Sequence, residues 1–146
     1  MFNRILVVCI GNICRSPLAE AALRQLAPVG VSVQSAGLGA LVGQPADPES
    51  LRQGQLHGLD LSQHVARQLT PALCAESDLI LVMDDEHVDA VCRLSPSARG
   101  KVMLLGRWES GKQIPDPYRK SAEVFADTYQ LIAASSEQWA RKMQWI

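Results

Sequence analysis

Two rhythms of apolar and polar positions alternate along this chain. Short runs suited to strands occur at residues 4–8 (RILVV), 31–35 (VSVQS), 79–83 (LILVM) and 101–105 (KVMLL). The first is an apolar, β-branched run of the kind that fills a parallel strand buried on both faces. After each strand the apolar residues fall at helical spacing. Leu18, Ala22, Leu23 and Leu26 mark a helix that Ser16-Pro17 opens, with Ser expected as the N-cap, and that Pro28 and Gly30 close. Asp47-Pro48 repeats the signal for a helix stopping near Gly58, and Thr70-Pro71 for a shorter one. Asp84-Asp85 start the helix after the third strand. Val124, Phe125, Thr128, Leu131, Ile132, Ser135 and Trp139 share one face of a long C-terminal helix. Between these elements, Gly37, Gly39 and Gly43 read as a flexible loop, and residues 106–120 as a polar one. Strands that alternate with helices are βαβ units. The predicted fold is therefore α/β: one three-layer domain over residues 1–146, with a four-stranded parallel sheet flanked by helices. Such sheets bind ligands beyond the carboxyl ends of their strands, which directs attention to the segment after the first strand.

Composition narrows the classes of function. Fourteen Lys and Arg against 15 Asp and Glu leave a net charge of -1, which gives no support to nucleic-acid binding or to a basic membrane-facing surface. Aromatic residues at 5% are too sparse for a base-stacking face. The apolar run at residues 5–10 is too short to cross a membrane or to form a signal-peptide core. The expectation is a cytoplasmic protein with no membrane insertion, and nothing demands more than a monomer. The four cysteines, Cys9, Cys14, Cys74 and Cys92, form no C-x-x-C pair, and His57, His64 and His87 share no zinc spacing with them. No metal and no cofactor is expected.

The segment after the first strand is Cys9-Ile10-Gly11-Asn12-Ile13-Cys14-Arg15-Ser16-Pro17. A cysteine at a strand end is in general a small buried hydrophobe. Its neighbours change that reading. Gly11 and Asn12 tolerate positive φ, so successive N–H groups can curl inward into an anion nest. The loop feeds a helix N-terminus, which also favours an anion. Arg15 is a cation where the helix dipole disfavours one, unless an anion lies between and is gripped by the guanidinium fork. An oxyanion held there would lie against the Cys9 sulfur. The empty cradle would favour the thiolate, toward which Ser16 can donate its hydroxyl. This is the layout for nucleophilic attack on a phosphoryl group. No Walker A motif is present, and Gly37-x-Gly39-x-x-x-Gly43 misses the dinucleotide fingerprint.

VCIGNICRSPLAEA resembles the phosphate loop of the low-molecular-weight protein tyrosine phosphatases. So do Ser35-Ala36-Gly37, residues 64–69 (HVARQL) and Asp116-Pro117-Tyr118, in the family's order and over nearly the whole chain. The resemblance implies Cys9 as nucleophile, Arg15 as phosphate grip and Asp116 as general acid. It implies that Ile10, Gly11, Asn12, Ile13, Cys14, Ser16 and Tyr118 contact substrate, and that Asn12, Ser35 and His64 brace the loop. Residues 114–121 (IPDPYRKS) look like the bacterial branch associated with exopolysaccharide or capsule production. That likeness implies a phosphotyrosine protein as partner, namely a membrane-associated tyrosine autokinase. Arg119 stands where animal members carry a second aromatic, and Leu38 and Leu41 lie where they place a large one, which implies a less aromatic pocket.

Asp116 also has a reading of its own. An Asp-Pro pair in a loop is in general a turn element. This one follows the fourth strand, on the same sheet edge as Cys9, and Pro115 and Pro117 stiffen it. Thiolate Cys9 and protonated Asp116 together predict a bell-shaped rate with its maximum on the acidic side of neutrality. His57 and His87 read as surface helix residues. Cys14 reads equally as a packing residue or as a partner for Cys9 in a reversible disulfide. Two other functions fit the loop: an arsenate reductase on the same fold, and a phosphocarrier domain phosphorylated on Cys. The first requires two further cysteines close together, and the second needs neither Arg15 nor Asp116.

Overall fold

In the computed structural model, which describes residues 2–146, strands β1 (Arg4–Cys9), β2 (Ser32–Gly37), β3 (Leu79–Val82) and β4 (Val102–Leu104) form one sheet in the order β2-β1-β3-β4. Every pairing is parallel. The helices are α1 (Arg15–Leu26), α2 (Pro48–Leu56), α3 (Pro71–Glu76), α4 (Asp85–Leu94) and α5 (Ala122–Lys142). Alternate residues of β1 feed two cores. Ile5, Val7 and Cys9 join Leu18 and Leu23 of α1 and Tyr129, Ile132 and Trp139 of α5. Leu6 and Val8 join Cys74 of α3 and Val91 and Cys92 of α4. A strand buried on both faces cannot alternate apolar with polar, which is why β1 reads as an unbroken apolar run. The chain passes from β1 to β2 on one side and returns to β3 on the other. The end of β1 is therefore the switch point of the sheet, and Cys9 is its last residue.

The caps follow sequence chemistry. Asp47, Thr70, Asp84 and Ser121 each accept a backbone N–H in the first turn of α2, α3, α4 and α5. Helix α1 departs from this. It starts at Arg15, one residue before the predicted Ser16 cap, and no side chain caps it. The Ser16 hydroxyl is engaged with Asn12 and Cys9 instead. The strand edges fall within one residue of expectation at most ends, and β4 is shortened by 3-10 turns over Pro96–Lys101 and Leu105–Trp108. The glycine loop is not free. Gly37 is the last residue of β2, and a Cβ there would lie 2.3 Å from the Ile10 carbonyl oxygen. His87 is a further correction, since it is 3% exposed. It shares the inner face of α4 with Val91, one turn on. His57 is exposed and stacks on Tyr129, with ring centroids 4.0 Å apart.

Asp78 ties β3 to the start of β1. Its Oδ2 accepts the N–H groups of Asn3 and Arg4, each at 2.9 Å. These bonds hold its carboxyl below the usual range. Their contribution is therefore present above the unfolded carboxyl value and lost as pH falls through the lower folded one. Asp78→Ala is expected to lower Tm at neutral pH, with the gap to the parent chain closing at an acid pH well below the ordinary carboxyl value. Thermal melts at the two pH values check this, and an equal gap at both contradicts it.

Candidate active site

The backbone carbonyls from Cys9 to Cys14 all point outward, each held by a different donor. Cys9, Ile10 and Gly11 accept the N–H groups of Leu38, Gly39 and Leu41 at 2.9 Å, 3.0 Å and 3.0 Å. Asn12 accepts from His64 Nε2 at 2.6 Å, Ile13 from the Asp47 N–H at 2.8 Å, and Cys14 from the Ser50 hydroxyl at 3.3 Å. Across a trans peptide, the C=O and the following N–H point in opposite directions. Turning the carbonyls out thus turns the N–H groups in. Their ring continues into the uncapped N-terminus of α1, whose free N–H groups point the same way.

Asn12 makes the curl. It is the one residue of this loop with positive φ, at 58°, so Gly11 is not needed for the turn. Its side chain is fully used. Nδ2 donates to the Ser16 and Ser35 hydroxyls at 2.7 Å and 3.0 Å, and Oδ1 accepts the Arg67 N–H at 2.9 Å. Because Ser16 Oγ already accepts from Asn12, its own hydrogen is free for Cys9 Sγ, 3.0 Å away. His64 must carry its proton on Nε2, since a carbonyl only accepts. Ser35 and His64 thus both meet Asn12, from β2 and from the segment before α3.

Arg15 is 3% exposed. Its Nη1 donates to the Ile114 carbonyl at 2.9 Å, and its Nη2 lies 3.9 Å from Asp116 Oδ2. Asp116 is half-exposed at the mouth, and its Oδ1 accepts the Tyr118 N–H at 3.0 Å. Its loop is anchored to the end of β3. The Ile114 N–H donates to the Met83 carbonyl at 2.8 Å, and Gln113 Oε1 accepts the Asp85 N–H at 3.0 Å.

These groups enclose a cleft of about 180 Å³ lined by Cys9, Ile10, Gly11, Ile13, Cys14, Arg15, Gly39, Leu41, Asp116 and Tyr118. Asn12, Ser16, Ser35 and His64 stand behind its wall. Leu41 belongs to the lining, whereas Leu38 packs against the other core and does not reach it. The Arg119 guanidinium sits over the Tyr118 ring, 5.3 Å from its centroid. Cys14 packs with Ile13, Ala66 and Phe125. Burial, followed by the Asp47 carboxylate, pushes its thiol up to about 12, so Cys14 stays protonated. A larger groove, of about 530 Å³, backs onto Ser35, His64 and Arg67 but contains neither Cys9 nor Arg15. Sequence reasoning did not give roles to Arg67 or Ile114. Both act on the loop through backbone groups, which leave no mark on side-chain identity.

Nucleophilic sulfur, inward amides, a buried guanidinium and a carboxyl in one cleft can hold a tetrahedral dianion and transfer its central atom. Comparisons with known proteins agree with that chemistry. Residues 4–145 match the family model for low molecular weight phosphotyrosine protein phosphatases. The low molecular weight protein-tyrosine-phosphatase Wzb of Salmonella typhimurium is 52% identical over 143 residues, covering 98% of this chain and 95% of its own. The structure of Vibrio vulnificus Wzb in complex with benzylphosphonate superimposes with a TM-score of 0.95 at 47% identity, covering 97% of this chain and 99% of that one. The YwlE arginine phosphatase of Geobacillus stearothermophilus is more distant, at 31% identity and a TM-score of 0.92, covering 99% of this chain and 94% of that one. With a family match over nearly its whole length and relatives at about half identity, the chain belongs to the low molecular weight phosphotyrosine protein phosphatases.

Proposed function

We propose that the chain hydrolyses phosphotyrosine in proteins through a cysteinyl-phosphate intermediate. The observation that carries this reading is the set of six outward carbonyls, which aims the amides of the loop at the space above Cys9 Sγ. In the first step the Cys9 thiolate attacks phosphorus. The S–P bond forms, the bond to the tyrosine oxygen breaks, and Asp116 gives its proton to the departing phenolate. In the second step the Asp116 carboxylate takes a proton from water, whose oxygen attacks phosphorus. The S–P bond breaks, phosphate leaves and the thiolate returns. Ser16 donates to the sulfur throughout, and Arg15 neutralises the equatorial oxygens of the transition state. Ile10, Leu41 and Tyr118 flank the ring of the substrate. Benzylphosphonate, found in the Vibrio vulnificus relative, has the shape this cleft suits: an aryl group separated from a tetrahedral dianion by one methylene, which stands where an aryl ester has its bridging oxygen.

Burst kinetics with p-nitrophenyl phosphate, followed by phosphotyrosine, phosphoserine and phosphoarginine peptides, test this. A Cys9-dependent burst and preference for phosphotyrosine support it, and turnover of phosphoarginine alone overturns it. Asp116→Asn is expected to lower the rate of the first step by about 10²–10³-fold for a phenyl ester, and by far less for an ester with a strongly acidic leaving group. A loss independent of leaving-group acidity contradicts the assignment of Asp116.

An arsenate reductase is not favoured. Cys74 and Cys92 lie in the core on the opposite face of the sheet from Cys9, and both are buried. A phosphocarrier leaves Asp116 without work. As physiological substrate we propose a tyrosine autokinase of exopolysaccharide production, on the likeness of residues 114–121 to that branch. Among the described residues no helix is long and apolar enough to cross a membrane.

A further inference from the structure

His87 lies under the acid-bearing loop, buried, and the steps above do not use it. Its Nδ1 is 3.4 Å from the Met83 N–H, a long bond in which the ring nitrogen must be the acceptor. Its Nε2 lies 3.5 Å from Asp84 Oδ2 and has no hydrogen-bond partner. The Met83 carbonyl accepts the Ile114 N–H, and the Ile114 carbonyl accepts from Arg15. A relay of contacts therefore runs from the imidazole through the end of β3 to the guanidinium in the cleft.

We propose that His87 is a positioning residue: its unprotonated Nδ1 holds the Met83 N–H and so fixes the residue whose carbonyl carries Ile114, which in turn carries Arg15. The assignment rests on the phosphatase reading for its effect on rate. Protonation would set two N–H groups against each other at Met83 and place a second cation near Arg15. The groups that face His87 are Asp84 and Glu86 from its own turn and helix, Arg15 from α1 and Asp116 from the acid loop. Burial lowers its proton affinity most, and Arg15 lowers it further. Asp84, Asp116 and Glu86 oppose them without restoring the ordinary value. The neutral form therefore prevails at neutral pH, and the brace is lost as pH falls through a value below the ordinary one of about 6.5.

Two substitutions separate positioning from packing. The Asn Oδ1 stands where Nδ1 stands and accepts the same N–H, but it does not titrate. His87→Asn is expected to keep kcat on p-nitrophenyl phosphate within about threefold at neutral pH, while the acidic limb of kcat loses one protonation step. His87→Leu fills similar volume without an acceptor and is expected to lower kcat about tenfold with KM little changed. Imidazole NMR of the parent chain should find the Nε2–H tautomer, and the Ile114 amide and Arg15 guanidinium signals should shift with the His87 midpoint. That NMR arm needs no turnover, so it stands apart from any failure of the phosphatase reading. Equal kcat and equal acidic limbs in both variants overturn the proposal. So do Ile114 and Arg15 signals that ignore the His87 titration, or an Nδ1–H tautomer at neutral pH.

Discussion

Cys9→Ser is expected to lower turnover of phosphate esters by at least about 10⁴-fold while leaving inorganic phosphate bound. A serine hydroxyl is far less acidic than a thiol, and the side chain hydrogen-bonded to residue 9 is a donor rather than a base. That side chain is Ser16, whose Oγ accepts from Asn12 and donates toward the sulfur at 3.0 Å. The binding half of the site survives, because none of the six bonds that turn the loop's carbonyls outward involves Sγ. The Arg15 bond to Ile114 is likewise independent of it. Phosphate affinity is expected to stay within about tenfold of the parent chain, the scale of one altered contact. Burst kinetics and calorimetric titration with phosphate measure the two halves. Turnover within a hundredth of the parent rate would remove Cys9 from the chemistry, and loss of phosphate binding would mean that the sulfur organises the cradle.

Arg15→Lys should be nearly as damaging, by about 10²–10³-fold in kcat/KM, the range seen when one oxyanion donor is removed. The side chain is buried and does two things at once. One nitrogen is committed to the Ile114 carbonyl, which leaves the others to face the cleft beside Asp116. A planar fork can serve both directions, whereas a lysine ammonium is a single point on a shorter stem. It can hold the carbonyl or reach the phosphate. The expected signature is weaker phosphate binding together with slower chemistry, at a Tm close to that of the parent. Activity within tenfold of the parent would reduce Arg15 to a strut for the acid loop.

Much of this was legible in the residues, for identifiable reasons. β1 and β3 lie inside the sheet, so burial on both faces left apolar runs that no helix period explains. Asp47-Pro48 and Thr70-Pro71 marked true helix starts because cap and first-turn chemistry is local. That Cys9, Arg15 and Asp116 meet in one cleft was legible because the loops after β1 and β4 open on the same sheet edge and carry these side-chain types. Ser16 was misread as a cap, since its hydroxyl is claimed by Asn12 and Cys9, a tertiary fact. Gly37 looked like slack in a loop, whereas its missing Cβ is what lets β2 lie against the Ile10 carbonyl. His87 looked exposed because a polar residue two places into an acidic helix start resembles surface. Only the packing of α4 against the sheet puts it inside. The donors that orient the loop are mostly backbone amides, and a sequence does not display those.

The fastenings of the cradle also govern when in folding it can exist. Cys14, Asn12 and Arg15 are tied to partners 36, 52 and 99 residues away along the chain. Contacts at such separations close large loops, and they form late, when β1 already lies between β2 and β3 and the acid loop has docked. An early fragment that lacks those distant partners would not hold the amides inward. Phosphate binding should therefore return during refolding with the slowest global phase, after helical signal has recovered. The nascent chain would then be unable to dephosphorylate anything until the segment carrying Ile114 has emerged and packed.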